Sequence, residues 1–158
     1  MKKVRYVEKI LESTELGIFV YSEELNSFEL QTDKVHWSLK MDNQMEEATQ
    51  LMKRAEVLSK KMCEFNTKAK ESIVEELLDY KNDFWPEYDE DDESLDWEKV
   101  DAGEYDITRE RFAKSITLLD IELSFDKIYL EYDDGDLFGG HRIHVLFDGN
   151  GQLLKAEI

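Results

Sequence analysis

An acidic turn followed by a histidine is the strongest candidate for a chemical site in this sequence. The run DDGDLFGGH occupies residues 133–141, between two apolar stretches. Carboxylates beside an imidazole can bind a divalent metal, exchange protons or hold a loop in place. Asp134, Asp136 and His141 are therefore the candidate site residues of this turn.

Three interpretations of the turn stay open. In the first, one of the aspartates orients His141, which would lie partly buried on the same strand face as Ile143, and so fixes the loop. In the second, Asp134, Asp136 and His141 bind a divalent metal, although their spacing matches no common metal-binding loop. In the third, His141 acts as a general acid or base, although the sequence contains no GxSxG motif and its one cysteine is distant.

A second candidate surface is the segment 84–106, which combines acidic and aromatic residues. Eleven residues of 86–106 are Asp or Glu, and Lys99 is the only base there. Aromatic rings are favoured anchors at protein interfaces, so the segment either lies over the domain, held by its rings, or contacts a basic partner. The residues predicted to bind that partner are Trp85, Tyr88, Asp89, Glu90, Asp91, Asp92, Glu93 and Trp97.

The charge of the whole chain points to the same class of partner. Thirty-eight acidic and twenty basic residues give a formal net charge of −18 at pH 7. Such a surface repels nucleic acid and anionic lipid and attracts basic proteins. We therefore expect a basic protein partner, with neither nucleic acid nor membrane as a target.

Alternating and helical patterns define the elements that must position these residues. Alternation predicts strands over 17–21, 28–32 and 35–41, and further strands over 119–125, 128–132, 141–147 and 153–158. Helical spacing predicts a short helix over 3–13 and a short helix capped by Thr108. It also predicts either two helices over 44–63 and 67–81, with a break at Asn66 and Thr67, or one long bent helix, and the capping preference of Asn and Thr favours two. The pattern indicates an α+β fold with an antiparallel sheet of about seven strands. The strands form two meanders, three N-terminal and four C-terminal, and a central helical segment packs on one face.

Length and composition indicate a single domain over residues 1–158. A chain of 158 residues can bury a core without a disulfide or a structural metal. Cys63, the one cysteine, lies at helical spacing beside Met62 and Phe65 and is predicted to be a small buried apolar residue. Neither a signal peptide nor a membrane span is predicted, so the expected location is the cytoplasm. No cofactor is predicted, and the sequence gives no oligomeric state.

Three stretches carry a resemblance to a known family. They are LGIFVYSEELNSFE at 16–29, LLDYKNDFWPE at 77–87 and YDDGDLFGGHRIHV at 132–145. Over about residues 16–145 the chain resembles the uncharacterised bacterial domain-of-unknown-function family 2262. That family has no established activity, so the resemblance implies a bacterial domain and assigns no functional residues. Small acidic α+β proteins of this kind are also similar to immunity proteins of toxin systems, at the level of general type.

These observations favour a non-enzymatic binding protein. We expect it to dock or neutralise a basic protein partner, as an immunity protein does, through its acidic and aromatic segment. The alternative is a metal-binding domain or metal-dependent enzyme centred on the turn at 133–141.

Overall fold

The computed structural model of the chain describes residues 9–41, 45–84, 96–103 and 106–158. Its strands are β1 (Ile10–Ser13), β2 (Gly17–Ser22), β3 (Ser27–Gln31), β4 (His36–Lys40), β5 (Thr117–Leu123), β6 (Lys127–Asp133), β7 (Ile143–Asp148) and β8 (Leu153–Glu157). Its helices are α1 (Met45–Lys60), α2 (Met62–Phe84), α3 (Trp97–Asp101) and α4 (Arg109–Ser115). None of these helices combines the length and apolar character that a membrane span needs.

The eight strands form one sheet in which the spatial order follows the chain order. Neighbouring strands pair antiparallel, except that β4 and β5 pair in parallel. A parallel pair requires a long crossover connection, and the chain between β4 and β5 contains α1 to α4. The α+β class is confirmed. The expectation of a purely antiparallel sheet is wrong at this one pair of strands.

One face of the sheet packs against α1 and α2 and forms the core. Its buried strand side chains alternate with period two, as half-buried strands require; they include Leu11, Phe19, Phe28, Trp37, Leu39, Ile121, Leu123, Leu130, Tyr132, Val145 and Phe147. The helices add Ala48, Leu51, Ala55, Ala69, Ile73 and Leu77 to the same cluster. We call this the inner face of the sheet and the opposite side the outer face.

The first strand corrects a prediction made from helical spacing. Residues 10–13 form β1 rather than the end of a helix, and residues 1–8 lie outside the described residues. β1 pairs with β2 along its whole length, and its side chains alternate between the two faces, so Leu11 and Ser13 are buried whereas Ile10 and Glu12 are exposed. The sheet therefore has eight strands instead of about seven, and its N-terminal meander has four.

The break between the two long helices lies at Lys61, not at Asn66 and Thr67. Asn66 is inside α2, where its side-chain oxygen accepts a hydrogen bond of 2.5 Å from the Tyr132 hydroxyl. The Thr67 hydroxyl donates to the Cys63 carbonyl one turn earlier at 2.8 Å, so it does not cap a new helix. Cys63 is exposed, which makes its predicted burial wrong. The first turn of α2 directs Cys63 to solvent while Phe65 packs against Phe147.

The short helix α4 begins at the predicted cap. The Thr108 hydroxyl accepts a hydrogen bond from the Arg111 amide, and Thr108 has extended backbone angles, as N-cap residues do. Phe112 is fully buried and meets the ring of Phe138 edge-on, with 6.0 Å between the ring centroids. Phe138 belongs to the turn at 133–141, so α4 and this turn are packed together through two buried rings.

Gly135 permits the closest approach between the turn and α4. Its φ is +59°, and a Cβ added there would lie 2.2 Å from the Ser115 carbonyl oxygen. Real side chains do not tolerate such a distance, and the positive φ adds a further cost for any residue with a Cβ. Gly135 is therefore required both for the backbone conformation of the turn and for the close packing of the turn against the end of α4.

Candidate functional site

The predicted turn residue Asp134 stabilises the turn from inside the fold. Its side chain is buried, at 1% exposure, between β6 and the turn. One carboxylate oxygen accepts the amide of Asp136 at 3.0 Å, and the other accepts the amides of Phe138 and Gly140, both at 2.9 Å. Hydrogen bonds to an ionised acceptor are stronger than neutral ones. The Asp134 carboxylate thus fixes the backbone of the whole turn.

The predicted burial of His141 is wrong. The His141 side chain is exposed, because β7 begins two residues later at Ile143. The alternation of Ile143, Val145 and Phe147 toward the core is confirmed, but it does not extend back to His141. His141 instead ends the turn, and its amide donates to the Phe138 carbonyl oxygen at 3.4 Å.

Metal binding at the turn stays a prediction, and the described residues there do not form a set of metal ligands. Within the four described ranges, no group of three or more His, Cys, Asp and Glu side chains is placed to hold a metal ion. Both oxygens of Asp134 already accept backbone amides, and Asp136 is exposed with a φ of 64°. The turn has the contacts of a structural latch.

The acidic and aromatic segment 84–106 lies mostly outside the described residues. Among its predicted partner-binding residues, Trp97 is described: it begins α3 and is 39% exposed. The remaining predicted residues, Trp85, Tyr88, Asp89, Glu90, Asp91, Asp92 and Glu93, lie in the part that the structure does not describe. Their role as a partner surface stays a prediction.

The outer face of the sheet carries a concentration of polar groups that the sequence reasoning missed. Strand register places one row of side chains across six strands: Gln31, His36, Asp120, Glu131, His144 and Glu157. A second row crosses all eight strands: Ile10, Val20, Glu29, Ser38, Glu122, Tyr129, Leu146 and Lys155. Adjacent strands are about 4.8 Å apart, so Asp120 and Glu131 lie side by side, and the other carboxylates of these rows are separated by one strand. We call Glu29, Asp120, Glu122, Glu131 and Glu157 the acidic face.

A network around Glu29 organises the N-terminal half of the acidic face. The Glu29 carboxylate accepts hydrogen bonds from the Ser27 and Ser38 hydroxyls and lies 3.1 Å from His36 Nε2. His36 Nδ1 is 3.1 Å from the side-chain oxygen of Gln31. Both ring nitrogens therefore face oxygen acceptors. The carboxylate is held in one orientation by groups on its own and the neighbouring strand.

A tyrosine and a histidine occupy the C-terminal half of the same face. The Tyr129 hydroxyl is at hydrogen-bond distance from His144 Nδ1 and lies 3.4 Å from the Glu131 carboxylate, and the Tyr129 and His144 rings stack. The pKa of Tyr129 is raised to about 12, chiefly by burial and in addition by the negative charges of Glu131, Glu122 and Asp120. The neutral form of this phenol is therefore favoured by burial first and by the surrounding carboxylates second.

An apolar corner adjoins the acidic face at the N-terminal edge of the sheet. Ile10, Ile18 and Val20 project from β1 and β2 on the outer side, and each is more than half exposed. Val20 lies directly opposite Glu29 on the next strand, so the apolar corner and the acidic face are continuous. Apolar side chains beside fixed charges are typical of a surface that binds another protein.

The alternation in two strands indicated polar residues on the outer face, but the sequence did not indicate that the two strands are neighbours. The alternation of His36 and Ser38, and that of Asp120 and Glu122, placed these polar residues opposite the core. What the alternation did not reveal is that β4 lies beside β5, which puts His36 opposite Asp120 and Ser38 opposite Glu122. That neighbour relation comes from the parallel pairing, which spacing along the chain does not encode.

We expect substitution of Asp134 to destabilise the fold. Asp134→Asn replaces one acceptor oxygen with an amide that faces donors, so at least one backbone amide loses its partner. The free energy of unfolding should fall by about 2 kcal/mol, since buried hydrogen bonds to charged groups contribute ~1.5–3 kcal/mol. Urea unfolding followed by circular dichroism measures this change.

The matched control for that substitution is Asp136→Asn, two residues away. Asp136 is exposed and has a positive φ that Asn also tolerates, so its replacement should change stability by less than ~0.5 kcal/mol. The stabilising role of Asp134 would be wrong if both variants were equally stable. It would also be wrong if Ca²⁺ or Zn²⁺ raised the Tm of the wild type and Asp134→Asn removed that rise.

The high pKa of Tyr129 gives an expectation for alkaline pH. The folded pKa of about 12 lies above the ordinary value of ~10, so the neutral phenol is favoured in the fold. Its contribution to stability is complete below pH ~10 and is lost as the pH rises through the folded pKa. An absorbance titration should show late tyrosinate formation, to which buried Tyr132 also contributes because burial raises its pKa. Tyr129→Phe should remove part of this late component, and Glu131→Gln should shift that part to lower pH. A Tyr129 component at the ordinary pKa would contradict the burial of this phenol beside carboxylates.

Comparison with known proteins places the chain in a family. A comparison with curated proteins and one with solved structures each gave no match. The model of the family DUF2262, described as an uncharacterized protein conserved in bacteria, matches residues 13–158. The match includes all eight strands apart from the first three residues of β1, and it contains the turn at 133–141 together with the acidic face. The chain belongs to the bacterial DUF2262 family.

Proposed function

We propose that the protein is a non-enzymatic acidic binding protein of the bacterial cytoplasm. It docks or neutralises a basic protein partner, in the manner of an immunity protein, and it binds that partner on the outer face of the sheet. The observation that carries the proposal is the placement of five carboxylates in two neighbouring rows on the outer face between β3 and β8, beside an exposed apolar corner.

The charges of the acidic face are only partly neutralised within the chain. Glu122 is paired with Lys40 at 3.3 Å and Glu157 with Lys155 at 2.9 Å, and Glu131 lies 3.7 Å from Arg142. Among the described residues, Glu29 and Asp120 have no lysine or arginine at ion-pair distance. Unneutralised carboxylates on a face with other acids attract a basic surface, and they speed its association when the salt concentration is low.

The geometry of the face supports protein binding better than the binding of a small ligand. Its side chains project from the sheet surface, whereas described cavities of about 500 and 640 Å³ lie on the helical side of the sheet, next to α1, α2 and α4. Small ligands are usually held in concave sites. The apolar corner of Ile10, Ile18 and Val20 offers a partner apolar contact beside the charges.

The proposal is tested by neutralising the face without changing the rest of the surface. Asp120→Asn, Glu122→Gln and Glu131→Gln are combined in one variant, and binding of an arginine-rich amphipathic peptide is measured by fluorescence anisotropy at low salt. Exposed ion pairs contribute ~0.2–1 kcal/mol each, so three lost charges should weaken binding about tenfold. Binding should also weaken as salt rises, because the screening length falls from ~10 Å at 0.1 M to ~3 Å at 1 M.

A matched variant on α2 separates this face from the net charge of the chain. Glu71→Gln, Glu75→Gln and Asp79→Asn change three exposed residues and raise the net charge of −18 by the same amount. If peptide binding weakens equally in both variants, it follows from overall charge and the proposed docking face is wrong. Loss confined to the sheet variant supports the face.

A further inference from the structure

A groove with an apolar floor lies on the opposite side of the sheet from the acidic face. Its floor consists of Leu58, Phe65, Leu123 and Ile128, from α1, α2, β5 and β6. The groove has a volume of about 500 Å³, which is within the ~300–1,000 Å³ range of pockets for small ligands. Exposed Val57 extends its apolar wall toward solvent.

The rim of this groove has the opposite charge from the rest of the chain. Lys53, Lys61 and Lys68 line it and are exposed, and Glu64 is the one acidic residue among its lining residues. The whole chain has nearly twice as many acids as bases and a net charge of −18. Three lysines around one apolar floor are therefore a local reversal of charge, and the charge complementary to them is negative.

Arg54 holds one wall of the groove in place. Its guanidinium donates to the carbonyl oxygens of Ser124 and Phe125 at 2.7 and 3.0 Å. These bonds tie α1 to the connection between β5 and β6, next to floor residues Leu123 and Ile128. A ring contact between Phe65 and Phe147, with centroids 5.4 Å apart, fixes the start of α2 against the sheet. The groove is thus formed between elements that are already locked together, so a ligand need not order them.

We propose that this groove binds an anionic amphiphile, meaning an apolar chain that carries a single carboxylate or phosphate head group. The chain lies along Leu58, Phe65 and Ile128, and the head group is held by the lysine rim. A lysine ammonium binds either type of anion as a point charge. The apolar floor selects a chain over a free inorganic anion, and the rim selects an anionic head over a cationic one.

The test uses dodecanoate, below its micelle concentration, as the probe. Methyl NMR resonances of Val57, Leu58, Leu123 and Ile128 should shift on titration, whereas acetate and inorganic phosphate should leave them unchanged. Dodecyl phosphate in a parallel titration distinguishes a phosphate head from a carboxylate head. Dodecyltrimethylammonium has the same chain with a cationic head. We expect it to bind about tenfold more weakly than dodecanoate, as measured by the shifts of these methyl groups.

Two variants complete the test. Lys61→Gln with Lys68→Gln should weaken dodecanoate binding about tenfold, and the matched pair Lys34→Gln with Lys99→Gln, at exposed positions that do not line the groove, should not. Val57→Glu replaces an exposed side chain, so it should leave the Tm nearly unchanged while preventing binding. Unshifted methyl groups, equal affinity of the rim variant, or equal binding of the cationic chain would each overturn the proposal.

The proposal for the groove and the proposal for the acidic face are tested independently. The acidic-face variant with Asp120→Asn, Glu122→Gln and Glu131→Gln should bind dodecanoate like the wild type. The rim variant should bind the arginine-rich peptide like the wild type. Loss of both activities in either variant would show that the two sites are not independent.

Discussion

Parallel pairing between β4 and β5 joins the two halves of the sheet, and both of its faces depend on that pairing. On the outer side it sets His36 opposite Asp120 and Ser38 opposite Glu122, which makes one acidic face from two separate meanders. On the inner side the crossover it requires carries α1 and α2 onto the core. Without this pair, the Glu29 network and the Tyr129 cluster would lie on unconnected hairpins.

The turn at 133–141 holds the C-terminal strands β6 and β7 against the helices. Asp134 fixes the backbone of the turn through three amides, and Gly135 lets the turn approach the end of α4. Phe138 then packs between Phe112 of α4 and Tyr80 of α2. The polar residues that first suggested chemistry thus connect β6 and β7 to two helices, and their contacts are those of a structural latch.

Local patterns predicted the strands well because burial on one face imposes a period of two on the sequence. Trp37, Leu39, Ile121 and Leu123 lie in the core as their alternation required. Predictions failed where the outcome depended on a distant partner: β1 is a strand because β2 pairs with it, and Asn66 stays helical while bonded to Tyr132. His141 and Cys63 were misplaced because alternation and helical spacing were extended past the ends of the elements that impose them. The acidic face was beyond prediction, since no local pattern specifies which strands are neighbours.

The two sides of the sheet carry opposite local charges, and the acidic side is the one proposed to bind a basic partner. The most direct measurement is NMR mapping of backbone amide shifts during titration with the arginine-rich peptide at low salt. We expect the largest shifts on β3 to β7 around Glu29, Asp120 and Glu131, with little change on α1 and α2. Shifts confined to Trp97 and the rest of the segment 84–106, with none on the sheet, would contradict this expectation.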